Sequence, residues 1–245
     1  MKIVVVFKWA RNPLDARVSA DAAVSWPGVK LAASDDDPAA MEIAVALAAG
    51  DEVVGLTIGD GDTAWAAARG AARTVVVTGT PGEADSAATG AALAEAVRRM
   101  AGVGAVLIGD SAWDYAVISA LAGRLGWPAV AGVTAAACSE QGELRVTRRL
   151  GAAIQVLAAA GPVVLAVTAS RAEKNVPGMK EVLAARKKPA EKIAAADLLD
   201  AAIAYRVQTQ GTRFPDTPPA RVIDGGDPRT ACEQLIAALR VEGVI

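Results

Sequence analysis

The sequence predicts an α/β domain built on a doubly wound, mostly parallel sheet, with an added antiparallel ribbon and a C-terminal arm. Three observations carry that prediction. The runs "KIVVVF", "EVVGLTIG", "RTVVVTG" and "GAVLIGD" recur along the first half of the chain; apolar runs without polar alternation suit strands covered on both faces. Ala-rich stretches of helical length alternate with them across short connections, the order expected of parallel strands and crossover helices. The chain is 53% hydrophobic but only 4% aromatic, so its core is assembled from Ala, Val, Leu and Ile.

The first strand runs from Lys2 to Phe7 and leads into a long polar connection, Lys8 to Asp36. "DPAAMEIAVALAAG" reads as a helix with Asp37 at its N-cap, Pro38 in the first turn and Gly50 past its end. "EVVGLTIG" is the second strand, "DTAWAAARGAA" a helix, "RTVVVTG" the third strand and "ADSAATGAALAEAVRRM" a helix. "GAVLIGD" is the fourth strand, "DYAVISALAGRLG" a helix stopped by Gly126, and "WPAVAGV" a fifth strand with Pro128 near its start. From Ala135 the pattern changes. "ELRVTRRL" and "AIQVLAAA", separated by Gly151 and Ala152 and preceded by a turn at Glu140, Gln141 and Gly142, read as an antiparallel ribbon. "GPVVLAVTA", Gly161 to Ala169, reads as the last buried strand. "SRAEKNVPGMKEVLAARKKPAEKI" follows as a Pro-Gly turn and a basic, helix-like tail. These elements set a nucleotide-binding domain over 1–193, including the segment 170–193, and an arm over 194–245. In the arm, "TQGTRFPDTPPARVIDGGDP" is extended, and Arg229 to Glu242 is an amphipathic helix with Cys232, Leu235, Ile236 and Leu239 on one face, a face that docks on its own domain or on a partner subunit.

Composition narrows the function. The chain has no His, which removes His-based triads, relays and metal ligands together. Lys and Arg total 25 against 27 Asp and Glu, so no net charge draws the molecule to nucleic acid or to a membrane surface. Cys138 and Cys232 stand far apart without metal-ligand spacing and read as reduced thiols. "MKIVVVFKWA" reads as a strand rather than a signal peptide. The longest apolar stretch is broken by Gln155, Gly161 and Pro162, so it reads as two strands rather than a membrane span. A cytoplasmic protein is the expectation.

In a doubly wound sheet, ligands bind at the carboxyl ends of the strands. The candidate tips are Phe7-Lys8-Trp9, Ile58-Gly59-Asp60-Gly61-Asp62, Thr78-Gly79 and Gly109-Asp110-Ser111. "GDGD" suits a phosphate or ribose ahead of a helix, or is an ordinary turn; it lacks both dinucleotide and P-loop spacing. "SDDD", Ser34 to Asp37, offers carboxylates to a magnesium ion, or caps a helix and favours its positive end. Of the tryptophans, Trp113 stands out because it sits with Tyr115 just past a strand end. The basic stretches have no interleaved aromatics, against nucleic-acid binding.

Five stretches together resemble the β subunit of electron-transfer flavoproteins: "MKIVVVFKWARNP", "DDPAAMEIAVALA", "LTIGDGDTAWAAARGAARTVVV", "GDSAWDYAVISALAGRLGWPAV" and "VPGMKEVLAARKKPAE". The resemblance implies a Rossmann-like, adenine-nucleotide-hydrolase-like fold. It also implies a heterodimer with an α subunit that holds most of one FAD, and electron transfer from a flavin-dependent dehydrogenase to an acceptor, with no catalysis by this chain itself. It implies a nucleotide pocket, for AMP or a second FAD, formed by Val6, Lys8, Asp37, Pro38, Ala39, Ala40, Ile58, Gly59 and the run Gly109, Asp110, Ser111, Ala112, Trp113, Asp114, Tyr115, Ala116 and Val117. That last loop departs from the family pattern. It is about three residues shorter, lacks the amide and hydroxyl donors, and carries Ile118 where a Gly allows close backbone approach. Each missing hydrogen bond to a phosphate costs about 1 kcal/mol, so AMP binding as in common members is not expected, and Trp113 or Tyr115 is placed to stack on the adenine site or to fill it.

In the stretch after Ser170 the resemblance implies a recognition loop. Val176 and Pro177 form its tip, Met179 follows, and Lys180, Arg186, Lys187 and Lys188 steer an acidic partner. The opening stretches resemble a divergent, mycofactocin-associated branch of the family. Two rivals stand beside this reading. One is a nucleotide-binding sensor or structural module of the same fold. The other is an ATP pyrophosphatase, which wants a Ser-Gly-Gly loop where this chain has "FKWARNP".

Overall fold

The computed structural model of the chain describes residues 1–59, 61–80, 85–111, 113–139, 143–169, 176–199, 207, 210–216 and 220–245. The strands are β1 Lys2–Val6, β2 Arg17–Val18, β3 Val24–Ser25, β4 Val53–Ile58, β5 Arg73–Thr78, β6 Val103–Gly109, β7 Ala129–Cys138, β8 Leu144–Leu150, β9 Ala153–Ala159, β10 Val163–Val167 and β11 Ala190–Ala194. The helices are α1 Asp37–Ala48, α2 Thr63–Ala68, α3 Ser86–Arg98, α4 Tyr115–Leu125, α5 Met179–Ala185 and α6 Pro228–Val241. A nine-stranded sheet runs in the order β11-β5-β4-β1-β6-β10-β7-β8-β9. Its pairs are parallel except β7–β8 and β8–β9. From β1 the chain steps to β4 and β5 on one side, then crosses over to β6 on the other. That reversal opens a crevice between the carboxyl ends of β1 and β6.

Alternation along β1 divides the core. Val4 and Val6 pack with α3 and α4 residues such as Leu93, Val97, Val117 and Leu121. Ile3, Val5 and Phe7 pack with Ala40, Met41, Ala44 and Ala66 of α1 and α2. Small residues let the layers approach. A Cβ on Gly90 of α3 would lie 2.5 Å from the Ala120 Cβ and 2.8 Å from the Leu121 nitrogen of α4.

Several expectations are corrected. Asp36, not Asp37, takes the N-cap position of α1, and its side chain makes no cap bond; Asp37 turns inward and is fully buried. The connection after β1 is not wholly irregular: it holds the β2–β3 hairpin, because left-handed Ala22 (φ 63°) closes a tight turn. The fifth strand does not stop near Ala135; β7 continues to Cys138, leaving its parallel partner β10 for its antiparallel partner β8. Gly161–Ala169 holds β10, the last buried strand as expected, but a further and mostly exposed strand follows it. The basic tail is helical only to Ala185 and then crosses to the opposite edge as β11, beside β5. Pro189 leaves the helix, and its carbonyl accepts from the Thr74 amide, which seeds the β5–β11 register. The turn at Glu140–Gly142 lies outside the described residues.

The chain divides into two compact units, Met1–Gly211 and Thr212–Ile245. In the first, Ala195 and Leu198, just past β11, are buried in the core. In the second, the Asp227 carboxylate caps α6 by accepting from the Arg229 and Thr230 amides, and no residue of α6 is buried.

Candidate functional site at the carboxyl ends of the central strands

Three segments meet where β1 and β6 end, and Lys8 joins them. Its side chain is only 7% exposed. The Nζ donates to the Gly109 carbonyl at 2.9 Å, stands 3.3 Å from Asp114 Oδ1 and 3.8 Å from Asp37 Oδ1. The other Asp37 oxygen accepts from the Lys8 amide at 3.0 Å and the Ser34 amide at 2.8 Å. One carboxylate thus ties the end of β1 to the start of α1. Gly109 makes this possible, since a Cβ there would lie 2.7 Å from Asp37 Oδ1 and 3.0 Å from Asp36 Cβ. Its absent side chain serves the α1–β6 contact rather than a ligand.

The neighbouring aspartates are also bound into the fold. Asp36 accepts from the Ala169 amide at 2.6 Å, just after β10. Asp110 accepts from the Gly132 amide at 2.9 Å. Burial pushes the Asp37 carboxyl up, opposed by Lys8 and the two backbone amides. Burial likewise raises Asp114 against the pull of Lys8, and raises Asp36 against the Ala169 amide and Lys8. Among the described residues no group of three His, Cys, Asp or Glu is placed to hold a metal; in "SDDD", Asp35 is exposed while Asp36 and Asp37 are spent on backbone amides.

A cavity of about 160 Å³ opens beside Lys8. Val6, Ile58, Leu93, Ile108 and Val117 make its apolar wall, and Lys8, Thr57, Thr89 and Asp114 supply its polar groups. Thr57 Oγ1 is buried with no hydrogen-bond partner among the described residues. The volume is below the range of about 300–1,000 Å³ common for small-molecule sites. The single ammonium on the wall faces two carboxylates, so a phosphate entering here would meet Asp114 rather than a free cation. These groups fit a small, largely neutral occupant and not a nucleotide phosphate.

Of the residues expected here, Val6, Lys8, Ile58, Asp114 and Val117 line the cavity. Ala40 is in the core instead. Asp37 lies behind Lys8, Pro38 and Ala39 are half-buried on α1, and Ala116 is exposed. The Gly59 amide donates to the Val77 carbonyl at 2.8 Å, and Ser111 Oγ accepts from the Trp113 amide at 3.2 Å. Trp113 is half-buried and not part of the cavity wall; the tryptophan there is Trp9. Ala112 and the Tyr115 side chain lie outside the described residues. Sequence reasoning missed Thr57, Thr89 and Leu93. Thr57 sits inside an apolar strand and the other two on an Ala-rich helix, so each reads as core; only the α3 crossover brings the last two to the switch point.

The segment expected to dock a partner projects elsewhere. Val176, ahead of α5, is 70% exposed; Met179 and Leu183, one turn apart on α5, are 81% and 53% exposed. Val182 and Ala185 instead turn toward α2. Lys180, Arg186 and Lys187 are exposed. Lys188 is tethered: its Nζ donates at 2.9 Å to the carbonyls of both Ala67 and Ala71 at the end of α2.

A strand order that reverses beside β1, a crevice at that reversal and an added ribbon define a doubly wound, mostly parallel α/β domain. The electron transfer flavoprotein domain matches residues 28–198, well over half of the chain, and the chain belongs to that family, whose members are flavin-linked electron carriers. No curated protein sequence matches the chain. Among the described residues no helix is long and apolar enough to cross a membrane.

Proposed function

We propose that this chain is the β subunit of an electron-transfer flavoprotein. It pairs with an α subunit that holds most of the FAD, and the pair carries electrons from a flavin-dependent dehydrogenase to an acceptor, in the cytoplasm. The bound flavin supplies the redox chemistry; this chain shapes the carrier and its docking surface. The observation that carries the reading is the family match through residue 198 together with the exposed stripe Val176, Met179 and Leu183 inside it. Exposed apolar side chains just before and on a short helix, with Lys180, Arg186 and Lys187 around them, suit an acidic-rimmed pocket on the dehydrogenase. Lys188 belongs to the scaffold that holds the stripe out, through its bonds to α2. The resemblance sets a Leu at this tip in most of the family, and Val176 in its place fits a dedicated dehydrogenase, as in the mycofactocin-associated branch.

The strand-tip cavity is read as a closed remnant of a nucleotide site. Its Lys8 ties β1 to α1 and α4, and neither AMP nor a second FAD is expected in it. A purified complex that releases stoichiometric AMP on denaturation overturns this part alone. The test of the whole is co-expression with the family's α subunit, followed by absorbance near about 450 nm, the flavin band. Val176→Asp is expected to leave the flavin bound and slow reduction by the dehydrogenase about tenfold or more, the loss typical of a hot-spot anchor. Unchanged reduction leaves the segment a surface turn, and a colourless chain that ignores the α subunit removes the carrier role.

A further inference from the structure

The chain has four methionines, and the fold places one of them apart from the rest. Met41 and Met100 are core residues, at 1% and 8% exposure. Met1 is 43% exposed, but its sulfur lies against β6, where a Cβ on Gly104 would collide with the Met1 Sδ and Cγ. Met179 is 81% exposed and opens α5. The Glu181 carboxylate accepts from the Gly178 amide at 2.7 Å and fixes the start of that helix. Val182 and Ala185 hold its other face to α2, and Lys188 anchors the segment beyond it. The thioether is therefore displayed by a seated helix rather than by a loose end. Leu183 lies one turn on and Val176 just ahead of the helix, so Met179 stands in the middle of the exposed apolar stripe.

We propose that Met179 is a site of reversible oxidation by hydrogen peroxide, and that its sulfoxide uncouples α5 from the dehydrogenase. The inference rests on the reading of this stripe as the docking surface, and it adds a control to that surface. The Sδ lone pair attacks one peroxide oxygen, the O–O bond breaks, the S–O bond forms, and the second oxygen leaves as water with both protons. Sulfur loses two electrons and peroxide gains them. The oxidant has a source in the proposed carrier: dioxygen that takes two electrons and two protons from a reduced flavin, in place of the acceptor, becomes hydrogen peroxide. The return takes two electrons and two protons from a dithiol, through reductases that each act on one sulfoxide epimer, and releases water. Oxidation replaces an apolar, adaptable side chain by a polar one. The sulfoxide oxygen must give up water to enter an apolar pocket, and affinity falls unless a donor meets it there. The fold is spared, because Val182, Ala185 and Lys188, and not Met179, seat α5 on α2.

The test treats the full chain, alone and assembled with the α subunit, with hydrogen peroxide. It uses a Cys138→Ser/Cys232→Ser background, because both thiols are free and exposed and peroxide attacks them too. Peptide mass spectrometry should find the added oxygen on Met179 about tenfold or more faster than on Met1, Met41 or Met100. The oxidised chain should leave a phenyl matrix earlier than the untreated chain and keep its melting temperature. In the assembled carrier, flavin reduction by its dehydrogenase should slow about tenfold, and the two methionine sulfoxide reductases together should restore it. Met179→Leu is compared with itself before and after peroxide, and its rate should not change. Oxidation spread evenly over the four methionines overturns the site. Fast oxidation of Met179 with unchanged flavin reduction overturns the uncoupling, as does a Met179→Leu carrier that peroxide slows as much as the parent. A melting temperature that falls with oxidation of Met179 assigns the residue to the fold and overturns the proposal. A carrier that is reduced neither before nor after treatment fails the docking reading and takes the uncoupling with it, while the peptide ratio still judges the site.

Discussion

Among single residues, the arrangement around Lys8 sets how stability responds to charge. Asp37 is fully buried and depends on Lys8 and two amides for its ionised form. Lys8→Met leaves that charge uncompensated and is expected to destabilise the chain by about 3 kcal/mol at neutral pH, with Lys8→Met/Asp37→Asn recovering much of the loss. Urea unfolding of the two variants checks this; equal losses in both would separate Lys8 from Asp37. The pH dependence has a definite sign. Burial raises Asp36, Asp37 and Asp114 above the usual aspartate range, so the folded state holds protons that the unfolded chain has released. Their contribution is fully present below the usual range and is lost as pH rises through the raised values. Glu52 shifts the other way: burial opposes it, but Arg73 and Lys2 hold it low, so its contribution is lost in acid. The melting temperature is therefore expected to fall as pH rises through the raised values of these carboxyls, and Asp114→Asn to shrink that fall. An unchanged fall would place the effect on Asp36 and Asp37.

Between helices and strands, helix contacts govern how the sheet ends are held. α3 and α4 touch through Gly90, whose missing Cβ lets the Ala120 and Leu121 backbone approach. Gly90→Ala improves helix propensity by about 1 kcal/mol, yet it must push two helices apart, at a cost of about 1–3 kcal/mol. We expect net destabilisation in a urea titration. Ala120→Gly should rescue only part of it, because the Leu121 nitrogen remains 2.8 Å from the new methyl. A stabilised Gly90→Ala chain would mean that α3 and α4 separate freely. The same two helices supply Leu93, Thr89 and Val117 to the cavity wall, so their spacing also sets the cavity's width.

Across the full chain, the two units differ in how they are stabilised. The first has a two-faced core around the nine-stranded sheet. In the second, α6 buries nothing and relies on the Asp227 cap and on its intrinsic propensity. A helix of this length without packing is marginal in water. Amide exchange over 228–241 is expected to be orders of magnitude faster than in β1 and β6 in the isolated chain, and to slow on adding the proposed α subunit if that subunit covers Leu235, Ile236 and Leu239. Equal protection with and without the partner would argue that α6 is not part of the assembly.

The parallel core is legible in the residues alone. Uninterrupted runs such as "KIVVV" and "GAVLIG" leave no polar face to expose, so they must be covered on both sides. The ribbon, the amphipathic α6 and the strand tips where Lys8 and Asp114 sit are legible in the same way. What those tips do emerges only once the chain is folded. Asp37 reads as a helix cap in the local pattern, and only the approach of β6 at Gly109 shows it buried against Lys8. β11 was illegible because "AEKIA" has the composition of a helix end; the free edge of β5, distant in sequence, makes it a strand. Local preference settles an element when its own residues must be buried, whereas charge pairs and edge strands take their role from neighbours that the chain brings together only on folding.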